Sequence, residues 1–423
     1  MAERDQYTSE QLAKIRATLA EALGDDASQA LDNLDHRFVA ASEELAAEAS
    51  HGPGARKSHS DGDDEKKSSV DVESVIQEGR LKKMLETLDK IQDDSEQVRT
   101  LVAEILRHRE VKAFHMVDAM SKVTNDVELV NALAHGIVSH KGVNPLIDGL
   151  RHATISPEAM KSLAMGVAEQ GTVNHIIRAI ATAPPNQPEA EVIWAMEVMG
   201  RGSMEQMLEA IKLLANTSPG AIILATGIVN RKEVAIEPLV RSLSATKGNA
   251  KATTILAVAL TKLADTGSLV TLLEKYVTDD TDAGEILTVK LVQRSLEEKG
   301  RPKLMAKAAR VMHANSMAGK ILCMGIVDQG DPGQLEATYQ RIGHPVGKQM
   351  VAVGISKKLS ALKALQLLGG DYFKLSKFQA TADAATKEAR QRYNWILMHV
   401  LGESLEPKQT ISAREALTKG LKQ

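Results

Sequence analysis

Between about Gln97 and Leu368 the apolar residues come in short bursts at helical spacing, divided by polar turns, and the bursts repeat. Each unit opens on small and aliphatic residues: Ala134-His135-Gly136-Ile137-Val138, Ala164-Met165-Gly166-Val167-Ala168, Ala195-Met196-Glu197-Val198-Met199, Ala225-Thr226-Gly227-Ile228-Val229 and Ala257-Val258-Ala259-Leu260. Cys323-Met324-Gly325-Ile326-Val327 and Ala352-Val353-Gly354-Ile355-Ser356 follow later. The central residues 136, 166, 197, 227 and 259 stand 30, 31, 30 and 32 apart. An apolar pair trails each core: Leu146-Ile147, Ile176-Ile177, Met207-Leu208, Leu239-Val240 and Leu272-Leu273. Lys141-Gly142, Gly171-Thr172 and Thr266-Gly267 read as tight turns within units, and Ser156-Pro157, Pro184 to Pro188 and Ser218-Pro219-Gly220 as loops between them.

Each unit therefore reads as helix A, turn, helix B, loop. One such unit cannot bury its apolar face alone, and stacked neighbours can. The period predicts an all-α, right-handed α-solenoid over residues 70–370. Glycine inside a helix costs roughly 1 kcal/mol relative to alanine, so its recurrence at Gly136, Gly166, Gly227, Gly325 and Gly354 predicts close approach of neighbouring helices there. The unit at 283–316 is divergent, with Val289-Lys290-Leu291 where the small residues stand elsewhere.

The ends differ from the middle. Residues 1–49 predict a helical hairpin, with Leu12, Ile15, Leu19 and Leu23 on one stripe and Leu31, Leu34, Phe38 and Leu45 on the next. Residues 50–69 hold almost nothing apolar and predict a flexible linker. Leu81, Met84, Leu85, Leu88 and Ile91 share a face and predict one cap helix over 76–91, ahead of a first unit at 98–108 and 111–120. Residues 371–423 predict a C-terminal helical cap and basic tail: a long helix from about 376 to 401, then a short one over 412–421. Tyr372, Phe373, Phe378, Tyr393 and Trp395 are five of the eleven aromatic residues.

Composition narrows the chemistry. Hydrophobic residues are 43% of the 423, enough for a continuous core, and no run of apolar residues is long enough for a membrane span. The single Cys323 lies inside a helix A core, where a small buried apolar role outweighs a nucleophilic one. With no leader-like start, the chain reads as soluble and cytoplasmic. The net charge of −3 conceals an asymmetry: 19 Lys+Arg face 9 Asp+Glu in residues 301–423, against 33 and 46 in residues 1–300. Lys357, Lys358, Lys363, Lys374 and Lys377 form the densest basic group and, with Tyr372 and Phe373, are the candidate partner contacts. The Gly343 to Gln349 stretch has neither the spacing nor the preceding strand of a phosphate loop. His108, His115, His135, His140, His152 and His175 gather early, with His108 and His140 at helix A ends, where a helix dipole favours them. No catalytic group, metal site or cofactor is read from this pattern.

On its period and helix–turn–helix pattern, the stretch from about Gln97 to Leu368 resembles the HEAT-like, armadillo-like helical repeats, particularly the short phycobilisome-lyase type. The resemblance implies an extended binding surface. An iron hydroxylase in that group holds its metal with repeated His-Glu pairs, and no His-Glu pair occurs here. The expected function is a non-enzymatic protein–protein scaffold with one or more protein partners. A lyase-type or cofactor-maturation enzyme is one alternative. A nucleic-acid binder using the basic C-terminal third is the other, less favoured because residues 1–300 are acidic. Self-association through residues 1–49 is a further expectation.

Overall fold

The structure is a computed structural model. It describes residues 71–402, apart from 92–93, 215–217, 232–233, 247, 276–280, 298–301, 311–315, 344 and 368–371. The expected hairpin, linker and short tail helix lie outside the described residues. Among the described residues there is no strand. The helices are α1 (Val72–Glu78), α2 (Leu81–Leu88), α3 (Ser95–Arg107), α4 (Ala113–Lys122), α5 (Val127–Ser139), α6 (Val143–Leu150), α7 (Pro157–Gln170), α8 (Val173–Thr182), α9 (Pro188–Arg201), α10 (Met204–Leu213) and α11 (Pro219–Val229). Then come α12 (Ile236–Ala245), α13 (Ala250–Leu263), α14 (Thr266–Lys275), α15 (Asp282–Glu297), α16 (Pro302–Ala309), α17 (Met317–Gln329), α18 (Pro332–Arg341), α19 (Pro345–Lys358), α20 (Ala361–Leu367) and α21 (Tyr372–Trp395), which runs into a π-helical turn at Ile396–Val400. From α3 to α19 the odd helices are A helices and the even ones B helices.

Two compact units divide the chain, one ending at Gly227 and one starting at Ile228. In the first, A packs on the next A (α3 on α5, α5 on α7, α7 on α9) and B on the next B (α4 on α6, α6 on α8, α8 on α10). The second repeats this, with α13 on α15, α15 on α17 and α17 on α19, and with α14 on α16 and α16 on α18. Each unit is thus a two-layer stack of neighbouring helix pairs, an all-α helical repeat.

Local sequence fixes the helix starts. Asp94, Asp126, Ser156, Asn249 and Ser316 each accept a backbone N–H from the first turn of the helix that follows. Ser203 with Gln206 and Asp331 with Gln334 make reciprocal capping boxes. Asp265 takes the Ser268 N–H at 2.6 Å, so Thr266 and Gly267 open helix B and the turn expected there is at 264–265.

The single cap helix expected over 76–91 is two helices. Gly79 adopts φ +62°, a left-handed conformation that favours glycine, and its N–H closes on the Ile76 carbonyl, ending α1. α1 packs on α3 and α2 on α4, so the two take the places of an A and a B helix. The last long helix also differs from expectation. It starts at Tyr372, and beyond packing on α19 it packs on α17, while its π-helical turn reaches α15.

The recurrent glycines lie where A helices meet. Let the Gly136 position be zero; it recurs at Glu104, Gly166, Glu197, Gly227, Ala259, Lys290, Gly325 and Gly354. A Cβ on Gly227 would lie 2.5 Å from Met199 Cγ, one on Gly325 2.8 Å from Val292 Cγ1, and one on Gly354 2.8 Å from Val327 Cγ1. On Gly136 it would come within 2.9 Å of Leu106 Cδ2, and on Gly166 within 3.3 Å of Val138 Cγ2. In all five cases a crowding atom sits at position +2 of the preceding helix A; at Gly136 and Gly166 a B-helix side chain is nearer still, Met116 Sδ at 2.5 Å and Leu146 Cδ2 at 3.1 Å.

Candidate interaction surface

The outer face of the A layer is where this fold meets another helix. In the second unit α21 lies across it. Ala382, Ala385, Ala389 and Tyr393, with Ile396 and Leu397 of the π-helical turn, are buried. Small residues let two helices approach closely. Ion pairs flank them: Lys357–Asp383 at 2.9 Å, Lys320–Glu388 at 2.7 Å, Arg390–Asp328 at 2.8 Å, and Arg392 to Glu285 at 2.5 Å and Asp282 at 3.3 Å. Their A-helix members occupy positions −8, −5 and +3, a stripe about 80° wide at 100° per residue, with −1 inside it and −4 about 20° past its edge. At −4 and −1 stand Ile286 and Val289, Ile321 and Met324, and Met350 and Val353, all buried to 3% exposure or less. Beyond the covered stretch Trp395 (45% exposed) stacks on His399 at 5.5 Å and holds Arg392 over its ring at 4.8 Å, next to exposed Met398.

The basic group expected to contact a partner is largely engaged within the chain. Lys357 pairs with Asp383 and Lys363 with Glu336 at 3.0 Å. Lys358 donates to the Asp328 and Gly330 carbonyls at 3.3 and 3.0 Å, closing the end of α17. Lys377 is exposed on α21. Tyr372, Phe373 and Lys374 open α21, and their side chains lie outside the described residues.

Lys358 belongs to a series that sequence reasoning missed. At position +4 stand His108, His140, Gln170, Arg201, Arg231, Leu263, Arg294, Gln329 and Lys358, polar in every repeat but that of Leu263. His108 donates to the Gly79 carbonyl at 3.0 Å, Gln170 to Val138 at 3.2 Å and Gln329 to Val292 at 3.4 Å. Arg201 donates to Ala168 and Gly171 at 2.9 and 2.5 Å, and Arg294 to Thr261 at 2.9 Å and to Ala264. Five of these six reach the open carbonyl end of the A helix before their own, or of α1, groups a helix cannot satisfy internally, while Gln329 reaches a carbonyl one turn inside the end of α15. His140 bonds instead to Gly136 in its own helix. The signal was a hydrogen-bond donor at one register in every repeat but one, spread over four residue types.

Two other early histidines close helix starts. His115 and His175 each accept, through Nδ1, the N–H of the residue three before them, Lys112 and Thr172, both at 3.2 Å. Burial, then Lys112, holds the His115 imidazole below its usual range, which keeps that nitrogen free to accept. Among the described residues no three His, Cys, Asp or Glu are grouped to hold a metal ion. Recesses among the described residues include a cleft of about 250 Å³ beside Pro184, Trp194 and Leu214, and an open trough of about 670 Å³ between α12 and α14. Glu191, buried in the first, is held by the Ser218 hydroxyl at 2.5 Å.

Cys323 is buried in α17, and burial pushes its thiol up to about 12. The thiolate is the reactive form, so labelling of the folded protein by a thiol reagent should be slow from pH 7 to 9, with one thiol per chain released in guanidinium. Full labelling of the native protein within minutes at pH 8 would place Cys323 at a reactive site instead.

Fold and surface together define an all-α helical repeat protein. No protein-family model matches the chain, and no curated protein or solved structure matches it at a significant level. No helix among the described residues is long and apolar enough to cross a membrane.

Proposed function

We propose that the protein is a non-enzymatic scaffold of the HEAT-like, phycobilisome-lyase-type kind. Its helix pairs would wind right-handedly in each unit, and it would work in the cytoplasm by holding protein partners. The observation that carries this reading is α21 itself. A two-layer repeat that seats a 24-residue helix across three A helices, with an alanine stripe and flanking ion pairs, has the means to hold helices of other chains. The internal pairing of Lys357, Lys358 and Lys363 weighs against the nucleic-acid alternative. The test is affinity purification of the full chain from its own cells, followed by nuclease treatment and absorption spectroscopy. A stoichiometric protein that survives nuclease and cross-links to the A helices is expected. Co-purification of only nucleic acid or a pigment would overturn the reading.

A further inference from the structure

The outer A face of the first unit has the register of the α21 seat without an α21. No described helix packs across α5, α7 and α9 as α21 packs across α17 and α19. At position −1 stand exposed His135 and half-buried Met165 and Met196, where the second unit has the buried Val289, Met324 and Val353; Val192, at −5, is half-buried too. Methionine is unbranched and polarisable, and it suits a surface that must fit a helix from outside. The charge differs in sign. Helices α5, α7 and α9 carry six carboxylates against two basic residues, while α15, α17 and α19 carry four against six. Position −8, inside the stripe that meets α21 in the second unit, is Glu128, Glu158 and Glu189 in three successive repeats. All three are exposed. Each has one partner at its edge (Arg99, Asn131 and Lys161), and these leave the row acidic overall.

We infer that the outer face of α5, α7 and α9 is a docking site for a basic amphipathic helix of a protein partner. Its apolar side would lie on Val192, Met165 and Met196, and its Lys or Arg residues would follow the Glu128–Glu158–Glu189 row. Two arguments select this occupant. The equivalent face of the second unit already holds a helix, which sets the mode, and the carboxylate row sets the sign of charge. The inference rests on the scaffold reading and narrows it to one face and one partner chemistry.

The experiment uses the full chain and a fluorescent, helical Leu/Lys peptide, with a Leu/Glu peptide of the same pattern as its opposite, read by anisotropy at 0.15 M salt. The basic helix should bind at least tenfold more tightly than the acidic one. Met165→Lys combined with Met196→Lys should weaken it at least tenfold. Leu213→Lys combined with Leu362→Lys, an equal charge change at exposed positions of α10 and α20, should leave binding within twofold. Circular dichroism establishes that both variants are folded. Equal weakening by the two double variants, or no preference for the basic helix, would overturn the site. A cellular partner retained by the Met165→Lys/Met196→Lys chain would also overturn it, while leaving the scaffold reading intact.

Discussion

Cutting the chain after Leu367 is expected to lower the melting temperature by 10 °C or more and to raise binding of a dye that reports exposed apolar surface. The cut removes α21 and uncovers Ile286, Val289, Ile321, Met324, Met350 and Val353, all now at 3% exposure or less. At about 1.5 kcal/mol or more per large side chain returned to water, the gross loss is on the order of 10 kcal/mol. The ordering entropy of α21 offsets part of this, leaving several kcal/mol. One kcal/mol moves the midpoint by about 2–4 °C at this size. The ion pairs along α21 are partly exposed and contribute about 1 kcal/mol each, so 1 M salt should shift the full chain less than the cut does. A truncated protein melting within 2 °C of the full chain would mean that α21 does not seal the A layer.

Replacing Gly325 by Leu should cost about 3 kcal/mol, measured by chemical denaturation. An added Cβ already meets Val292 Cγ1 at 2.8 Å and Cγ2 at 3.0 Å, and the β-branched valine has little rotamer freedom with which to retreat. Gly166→Leu should cost less, about 1–2 kcal/mol, because its neighbours at 3.1 to 3.3 Å are side-chain methyl groups, those of Leu146 at the end of a flexible chain. Gly200, at position +3 with nothing within 4 Å, serves as the comparison; Gly200→Ala should be neutral or slightly stabilising. If all three substitutions had the same effect, the glycines would not mark the contact between A helices.

The period made the repeat legible because it is a one-dimensional signal: small residues recur at one position, and the helices fall within a few residues of where the apolar bursts place them. The face that binds was not legible. Lys357 and Lys363 look like a free basic cluster in sequence, yet their partners Asp383 and Glu336 are 26 and 27 residues away. The +4 donors escaped notice because carbonyl capping selects for a donor of sufficient reach, and His, Gln, Arg and Lys all meet that need while sharing little else. Likewise Gly79 reads as one more helical residue until its left-handed φ is seen to divide α1 from α2. The outer A face became recognisable only once α21 showed which stripe of each A helix a further helix covers.

The carbonyl clamps have a direction. Arg201 closes the end of α7, Arg294 that of α13 and Lys358 that of α17, always from the repeat made later. On a ribosome, therefore, each of these A helices emerges with its last turn open and is fastened only when about thirty more residues have followed. Growth of the chain and closure of the stack advance together, one repeat behind the point of synthesis.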